Sequence, residues 1–186
     1  NFKDAMILKD GGKLVKEFPR IPGIDFSGTV EESNVDEFKK GDKIIVSGSR
    51  VGELHHGGYS QYARVKKEFL IKNPKEIDTK KAMMLGTAGF TAMLGVMALQ
   101  DAGVTPGDKS VLVTGAGGGV GSIAVAMLAR LGYSVAASTG RMEAKSYFEE
   151  LGASELVARD KLSRPSKPIE SGTWAGAIDT VGSQTL

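Results

Sequence analysis

Residues 110–132, SVLVTGAGGGVGSIAVAMLARLG, constrain the fold of the chain more than any other stretch. Ser110 to Thr114 is a short apolar run rich in valine and leucine, as expected of a strand buried on both faces. The glycine- and alanine-rich run Gly115 to Gly119 then turns the chain. From Val120 the apolar positions Ile123, Val125, Ala126, Leu128 and Ala129 take helical spacing, and Gly132 is placed to end the helix. Strand, glycine turn and helix make the first half of a mononucleotide-binding unit. Glycine suits that turn because the backbone must bend sharply, approach a pyrophosphate and let helix pack on strand. The helix N-terminus then offers unpaired N–H groups and the positive end of its dipole to phosphates.

A strict G-x-G-x-x-G counted from Gly115 fails at Val120. The frame that fits is Ala116-x-Gly118-x-x-Gly121, with alanine in the first glycine's place. The cofactor-cradle candidates are therefore Ala116, Gly117, Gly118, Gly119 and Val120. The competing reading is an ordinary strand-to-helix turn that holds no ligand. What favours the nucleotide is the strand before the motif and the helix after it.

The remaining composition narrows the class. The 186 residues carry 24 basic and 22 acidic side chains, with no basic cluster that suggests nucleic acid or an anionic membrane. No apolar run is expected to approach the ~18 residues of a membrane span. Cysteine is absent, which excludes disulfides and cysteine-ligated metal sites, and two histidines do not make a histidine-rich one. The chain begins at Asn1 without a signal-like segment and looks like a piece of a longer protein. Targeting cannot be read from it, and a cytoplasmic location is the expectation.

Residues 1–77 have β character and form the first expected domain. Gly28 to Glu31, Lys43 to Val46 and Tyr59 to Val65 read as short strands between glycine, proline and charged turns, the pattern of a barrel or sandwich. Phe38 to Lys43 reads as a turn feeding a strand, and Tyr59 and Tyr62 are expected to pack the barrel. From residue 78 the character changes, and 78–186 is the second expected domain. Asp78 or Thr79 caps a helix through Leu85, a break at Gly86 to Gly89 follows, and a second helix runs from Phe90 to Asp101. After the central unit come a strand at Ser134 to Ala137, a helix at Met142 to Leu151, a strand at Glu155 to Ala158 and a fourth at Gly176 to Thr180. Arg159 to Thr173 reads as a loop with a short helix. This order predicts an α/β fold with a parallel sheet and right-handed crossovers. A complete six-stranded sheet would need two more strands.

The end of the second strand selects the nucleotide. Folds that bind NAD place an acid about 20 residues after the glycine turn, on the ribose 2′-hydroxyl. Here Ser138, Thr139, Gly140 and Arg141 stand in that place, with no acid before Glu143. A guanidinium fork beside hydroxyl donors matches a 2′-phosphate, so NADPH is the expected cofactor. Arg159, after the third strand, can reach the adenine or the 2′-phosphate, or serve only as a solvated loop arginine.

With these residues identified, the chain resembles the medium-chain dehydrogenase/reductase superfamily. The resemblance is to its zinc-independent quinone-oxidoreductase branch, and within that to the acryloyl-CoA reductase group. The matching stretches are Asn1 to Asp4, Pro22 to Gly28, Gly57 to Tyr62, Gly86 to Ala92, Thr114 to Gly121 and Asp179 to Gly182. The resemblance implies a partial GroES-like barrel followed by a Rossmann domain, incomplete in this chain, with the active site in the cleft between them. It also implies a homodimer for the intact protein, with a small-molecule substrate and no nucleic-acid or membrane partner. Zinc-dependent relatives place a cysteine where this chain has Asn1 and a histidine where it has Ile24, so neither zinc ligand is expected here. His55 and His56 read as surface residues in a glycine-flanked loop.

By the same resemblance Asn1 and Asp4 are active-site candidates, although Asp4 reads equally well as a helix cap, and Thr91 is a contact near the nicotinamide. Related quinone reductases carry a tyrosine two residues after the matching aspartate, where this chain has Met6. That leaves water, a residue beyond the chain or the Asn1 amide as proton source. Without a metal, carbonyl activation falls to hydrogen-bond donors, which suits hydride addition to an activated alkene. The expected activity is NADPH-dependent reduction of acryloyl-CoA or a similar short 2-enoyl thioester. The alternatives are a quinone or enone reductase and a cofactor-binding protein without significant turnover.

Overall fold

The segment Asp25 to Ser47 folds back on itself because Gly41 adopts φ +94°, a backbone conformation that favours glycine. The computed structural model describes residues 2–10, 13–163 and 171–182. Helix α1 spans Phe2–Asp10, and strands β1 (Asp25–Thr29), β2 (Lys43–Ser47) and β3 (Ile71–Lys72) form an antiparallel sheet in the order β1-β2-β3. Phe26 pairs with Val46, Gly28 with Ile44, and Ile71 with Ile45. The expected turn before β2 is present: Asp42 accepts the Lys39 N–H at 2.9 Å, and the Gly41 and Asp42 backbone pairs with Val30. Phe38, Ile44, Val46 and Val51 are buried together, with Phe26, Val30 and Phe69 packed against them.

Three barrel expectations are corrected. Residues 59–65 form no strand, because the N–H groups of Gly57, Gly58 and Tyr59 bond to Ile21, Gly23 and Pro22, and no ladder partner follows among the described residues. Tyr59 and Tyr62 do not pack the barrel, being 53% and 80% exposed. The strand expected at Gly28 to Glu31 is instead β1, beginning three residues earlier. Past Thr29 the backbone bonds to the turn rather than to the ladder.

Helix α2 runs Thr79–Asp101 and is capped by Asp78, whose Oδ1 accepts the Lys81 N–H at 2.7 Å. Gly86 interrupts it with φ 46° and ψ −150°, where the sequence predicted the break, and the helix resumes directly rather than at Phe90. Met83 to Gln100 contains no charged residue, so α2 is long and apolar enough to cross a membrane by length and composition. This corrects the expectation that no such run exists. The core helix of a soluble protein passes the same test, and Ala92 and Val96 of α2 are fully buried.

The chain forms two compact units, Asn1–Thr87 and Ala88–Leu186. In the second, β4 (Val111–Val113), β5 (Val135–Thr139), β6 (Glu155–Ala158) and β7 (Gly176–Ile178) form a parallel sheet in the order β6-β5-β4-β7. Helix α3 (Gly119–Arg130) links β4 to β5, and a 3-10 turn (Met142–Ala144) with α4 (Lys145–Glu150) links β5 to β6. Val111 and Val113 enter one buried cluster with Ala124, Val125, Leu128 and Phe148, while Leu112 enters another with Ala136 and Val157. Both faces of β4 are covered, which is why it reads as an unbroken apolar run. Gly132 ends α3 as expected: its N–H bonds Ala129 and the Tyr133 N–H bonds Leu128, both at 3.0 Å, a Schellman closure.

The strand expected at Gly176 to Thr180 pairs only through Ile178, because Asp179 and Thr180 turn their hydrogen bonds onto Thr114. The loop expected from Arg159 opens with a 3-10 turn at Arg159–Lys161, and residues 164–170 lie outside those described.

Candidate nucleotide-binding site

The sheet order reverses at β4, with β5 on one side and β7 on the other. A crevice at the carboxyl ends of strands beside such a reversal is where open α/β sheets bind ligands. The glycine turn leaves β4 at this point. Gly115 carries the turn's positive φ of 57°, and a side chain there would strike Thr180 and Val181. The sharp bend therefore falls one residue before Ala116, whose φ is not positive, and this explains how alanine occupies the first glycine's place. Ala116 is fully buried and its N–H bonds the Ser138 carbonyl at 3.0 Å, tying the turn to β5. A Cβ on Gly121 would meet the Gly115 carbonyl and Ala116, so helix packs on turn only through glycine. Gly119 and Val120 open α3, with Gly118 as its N-cap.

At the end of β5 the predicted residues converge. Ser138 and Thr139 are buried, and Thr139 Oγ1 accepts the Arg141 N–H at 3.0 Å. The Arg141 guanidinium reaches back to the turn, where Nη2 donates to the Gly117 carbonyl at 3.1 Å. The Arg159 guanidinium lies along Gly140, 3.3 Å from where a Cβ would stand. Two guanidinium groups, a helix N-terminus and no carboxylate between Ser138 and Arg141 are groups that could hold a phosphate. These residues fit a dinucleotide carrying a 2′-phosphate.

Thr91 lies on α2 and lines a groove of about 690 Å³ with Leu94, Val120, Ile178, Asp179 and Thr180. The groove floor rests on a hydrogen-bond set that the sequence reading missed. Thr114 Oγ1 bonds Asp179 Oδ1 and accepts the Thr180 N–H at 3.0 Å, while the Thr114 carbonyl accepts the Thr180 hydroxyl at 2.9 Å. Asp179 Oδ2 accepts the Gly182 N–H at 2.8 Å. The signal was a threonine closing the apolar strand and an aspartate closing another.

The catalytic candidates belong to the first unit. Asn1 lies outside the described residues. Asp4 stands inside α1 and is buried, and its Oδ1 accepts the N–H of Ile24 at 3.0 Å. It holds the Pro22–Ile24 segment, twenty residues along the chain. Tyr59 follows that segment closely, with its N–H on the Pro22 carbonyl at 3.0 Å. Partial shielding from water, then the negative charge of Asp4, raises the half-exposed Tyr59 phenol above its ordinary value. Glu53 is held below the usual carboxylate range first by the hydrogen bond from Lys3, at 2.7 Å. Asp25, also missed, accepts from Ser47 Oγ and Thr87 Oγ1 at 2.7 Å each and from the Thr87 N–H at 3.0 Å. His55 packs against Phe69 with ring centroids 5.1 Å apart, and His56 Nδ1 accepts the Ile21 N–H at 3.2 Å. Among the described residues no three metal-binding side chains cluster.

Residues 1–75 match the alcohol dehydrogenase GroES-like domain. Across its whole length the chain is 55% identical to the acrylyl-CoA reductase AcuI of Ruegeria pomeroyi, of which it spans 57%. The yhdH oxidoreductase of Salmonella enterica, solved with NADP, matches with a TM-score of 0.94 and 50% identity over all of this chain and 57% of its own. The yhfP protein of Bacillus subtilis, solved with NAD, matches with a TM-score of 0.95 and 46% identity over all of this chain and 56% of its own. The chain thus spans somewhat over half the length of the relatives it matches, and it belongs to the medium-chain dehydrogenase/reductase superfamily.

Proposed function

We propose that the protein carrying this chain is an NADPH-dependent reductase of acryloyl-CoA or a similar short 2-enoyl thioester, acting without zinc. The observation that carries the cofactor choice is the Arg141 guanidinium, held 3.1 Å from the Gly117 carbonyl at the mouth of the glycine turn. A carboxylate there would repel a 2′-phosphate, and a guanidinium attracts it. The turn from Ala116 to Val120 and the α3 N-terminus take the pyrophosphate. Ser138, Thr139, Gly140, Arg141 and Arg159 take the adenosine end. Thr91 and the groove beside Asp179 take the nicotinamide end. A reduced nicotinamide supplies hydride to the β-carbon of the alkene.

On the substrate side, Asn1 and Asp4 are the proposed active-site residues, with Asp4 fixing the Pro22–Ile24 backbone. The zinc-free reading is supported by the donor set: the chain has no cysteine, and Ile24 presents a buried hydrocarbon where zinc relatives place an imidazole. The acyl-CoA preference is supported by the 55% identity to the Ruegeria reductase. The second reading, a quinone or small enone acceptor, is favoured by 46% identity to a Bacillus protein named a putative quinone oxidoreductase.

The test is NADPH oxidation by the full-length protein, with acryloyl-CoA and a quinone in parallel and NADH as control. Turnover of acryloyl-CoA with NADPH is expected. Turnover of the quinone alone moves the protein to the second reading, and silence with both, despite NADPH binding, makes it a binding protein.

A further inference from the structure

Gly117 occupies the variable position of the phosphate motif, the x between Ala116 and Gly118. Its φ is not positive, so the turn itself does not demand glycine there. What a side chain would meet is Arg141: a Cβ on Gly117 would collide with Nη2 of the guanidinium. Its next neighbour, Phe148 Cζ, stands at 3.5 Å, an ordinary contact. The glycine thus makes room for an arginine 24 positions later, and its carbonyl holds that arginine at 3.1 Å.

Arg141 is consequently fixed at both ends, its N–H on Thr139 Oγ1 and its guanidinium on the turn. A free arginine side chain loses rotamer entropy when it is ordered on a ligand. An arm already docked has lost much of that freedom, and binding gains accordingly. The bond to Gly117 uses one of the five guanidinium N–H groups. We propose that Gly117 is a specificity-determining residue, whose missing side chain lets the Arg141 guanidinium dock on the turn's own carbonyl and meet a 2′-phosphate pre-oriented. This rests on the reading of Arg141 as the 2′-phosphate partner.

Calorimetric titration of the full-length protein with adenosine 2′,5′-bisphosphate and with AMP tests it. The atom that Gly117→Ala displaces is the end of a flexible side chain, so the variant is expected to fold. Its affinity for the bisphosphate should fall about tenfold further than its affinity for AMP, the scale of one charge-assisted hydrogen bond. Arg141→Lys, which leaves the turn untouched, should lose a comparable amount, because an ammonium cannot grip carbonyl and phosphate as a fork. In an Arg141→Ala background, adding Gly117→Ala should leave the remaining preference for the bisphosphate over AMP unchanged. Equal loss of both ligands, no loss, tighter bisphosphate binding, or a further loss of preference in the Arg141→Ala background overturns the proposal. A wild-type protein that binds AMP as well as the bisphosphate overturns the Arg141 reading first. A wild-type preference that survives Gly117→Ala overturns only the role of Gly117.

Discussion

Thr87 gives both its backbone N–H and its hydroxyl to Asp25, 62 positions earlier, at 3.0 and 2.7 Å. The carboxylate thereby caps the helix that resumes after Gly86, and Ser47 of β2 donates to it as well, at 2.7 Å. Removing the acceptor takes one shared partner from three donors, although the Ser47 and Thr87 hydroxyls still lie 3.2 Å apart. Asp25→Ala should destabilise the protein by about 1–3 kcal/mol, as expected when part-buried donors lose a charged acceptor. Urea denaturation reads this directly, and a change within half a kilocalorie would show that water replaces the carboxylate.

Arg141→Ala should raise the KM for NADPH about tenfold or more, the loss of charge-assisted bonds to one phosphate, and leave the KM for NADH nearly unchanged. Steady-state kinetics with both nucleotides decides it. Equal effects on both would place the arginine elsewhere in the reaction.

Gly121→Ala contrasts with Gly117→Ala. At Gly121 the obstruction is backbone, the Gly115 carbonyl and Ala116, neither of which can swing aside. The substitution should cost about 1–3 kcal/mol of stability from overpacking, and it should weaken NADPH and NADH binding together. Thermal melting and parallel titrations with both nucleotides separate it from the position four residues earlier.

The Lys3–Glu53 pair sets an acid limit on the first unit. The Glu53 side chain is 8% exposed and its carboxyl lies below the ordinary glutamate range, so it binds protons less readily folded than unfolded. Its stabilisation is complete above the unfolded glutamate value of about 4.3 and is lost as pH falls through the lower folded-state value. Glu53→Gln should flatten the acid limb of the stability profile below that point. An unchanged limb would mean that other carboxylates dominate it.

What was legible in the sequence was local. Asp78 caps α2, Gly86 breaks it and Gly132 closes α3 because each acts on backbone within a few residues. The β4–α3 unit was legible because strand period, turn and helix period change in order along one stretch. The first unit read less well, since its strands depend on partners far along the chain. Tyr59 to Val65 has strand composition but no ladder partner among the described residues, whereas the two-residue strand Ile71–Lys72 pairs with β2. Asp25 and Asp179 were passed over for the same reason. Each stands in a stretch the resemblance singled out, yet its hydrogen-bond role shows only when its threonine arrives from 62 or 65 positions away.

The Thr114–Asp179 bond joins the residue before the glycine turn to the residue after the last described strand. Gly115, in turn, leaves just enough room for Thr180 to lie against it. The cradle is therefore finished by residues that reach the growing chain long after its own loop. Until β7 docks, the turn has its sequence but lacks one wall. Nucleotide affinity consequently reports on completion of the sheet, and a ligand that holds the turn also holds β7 in its place.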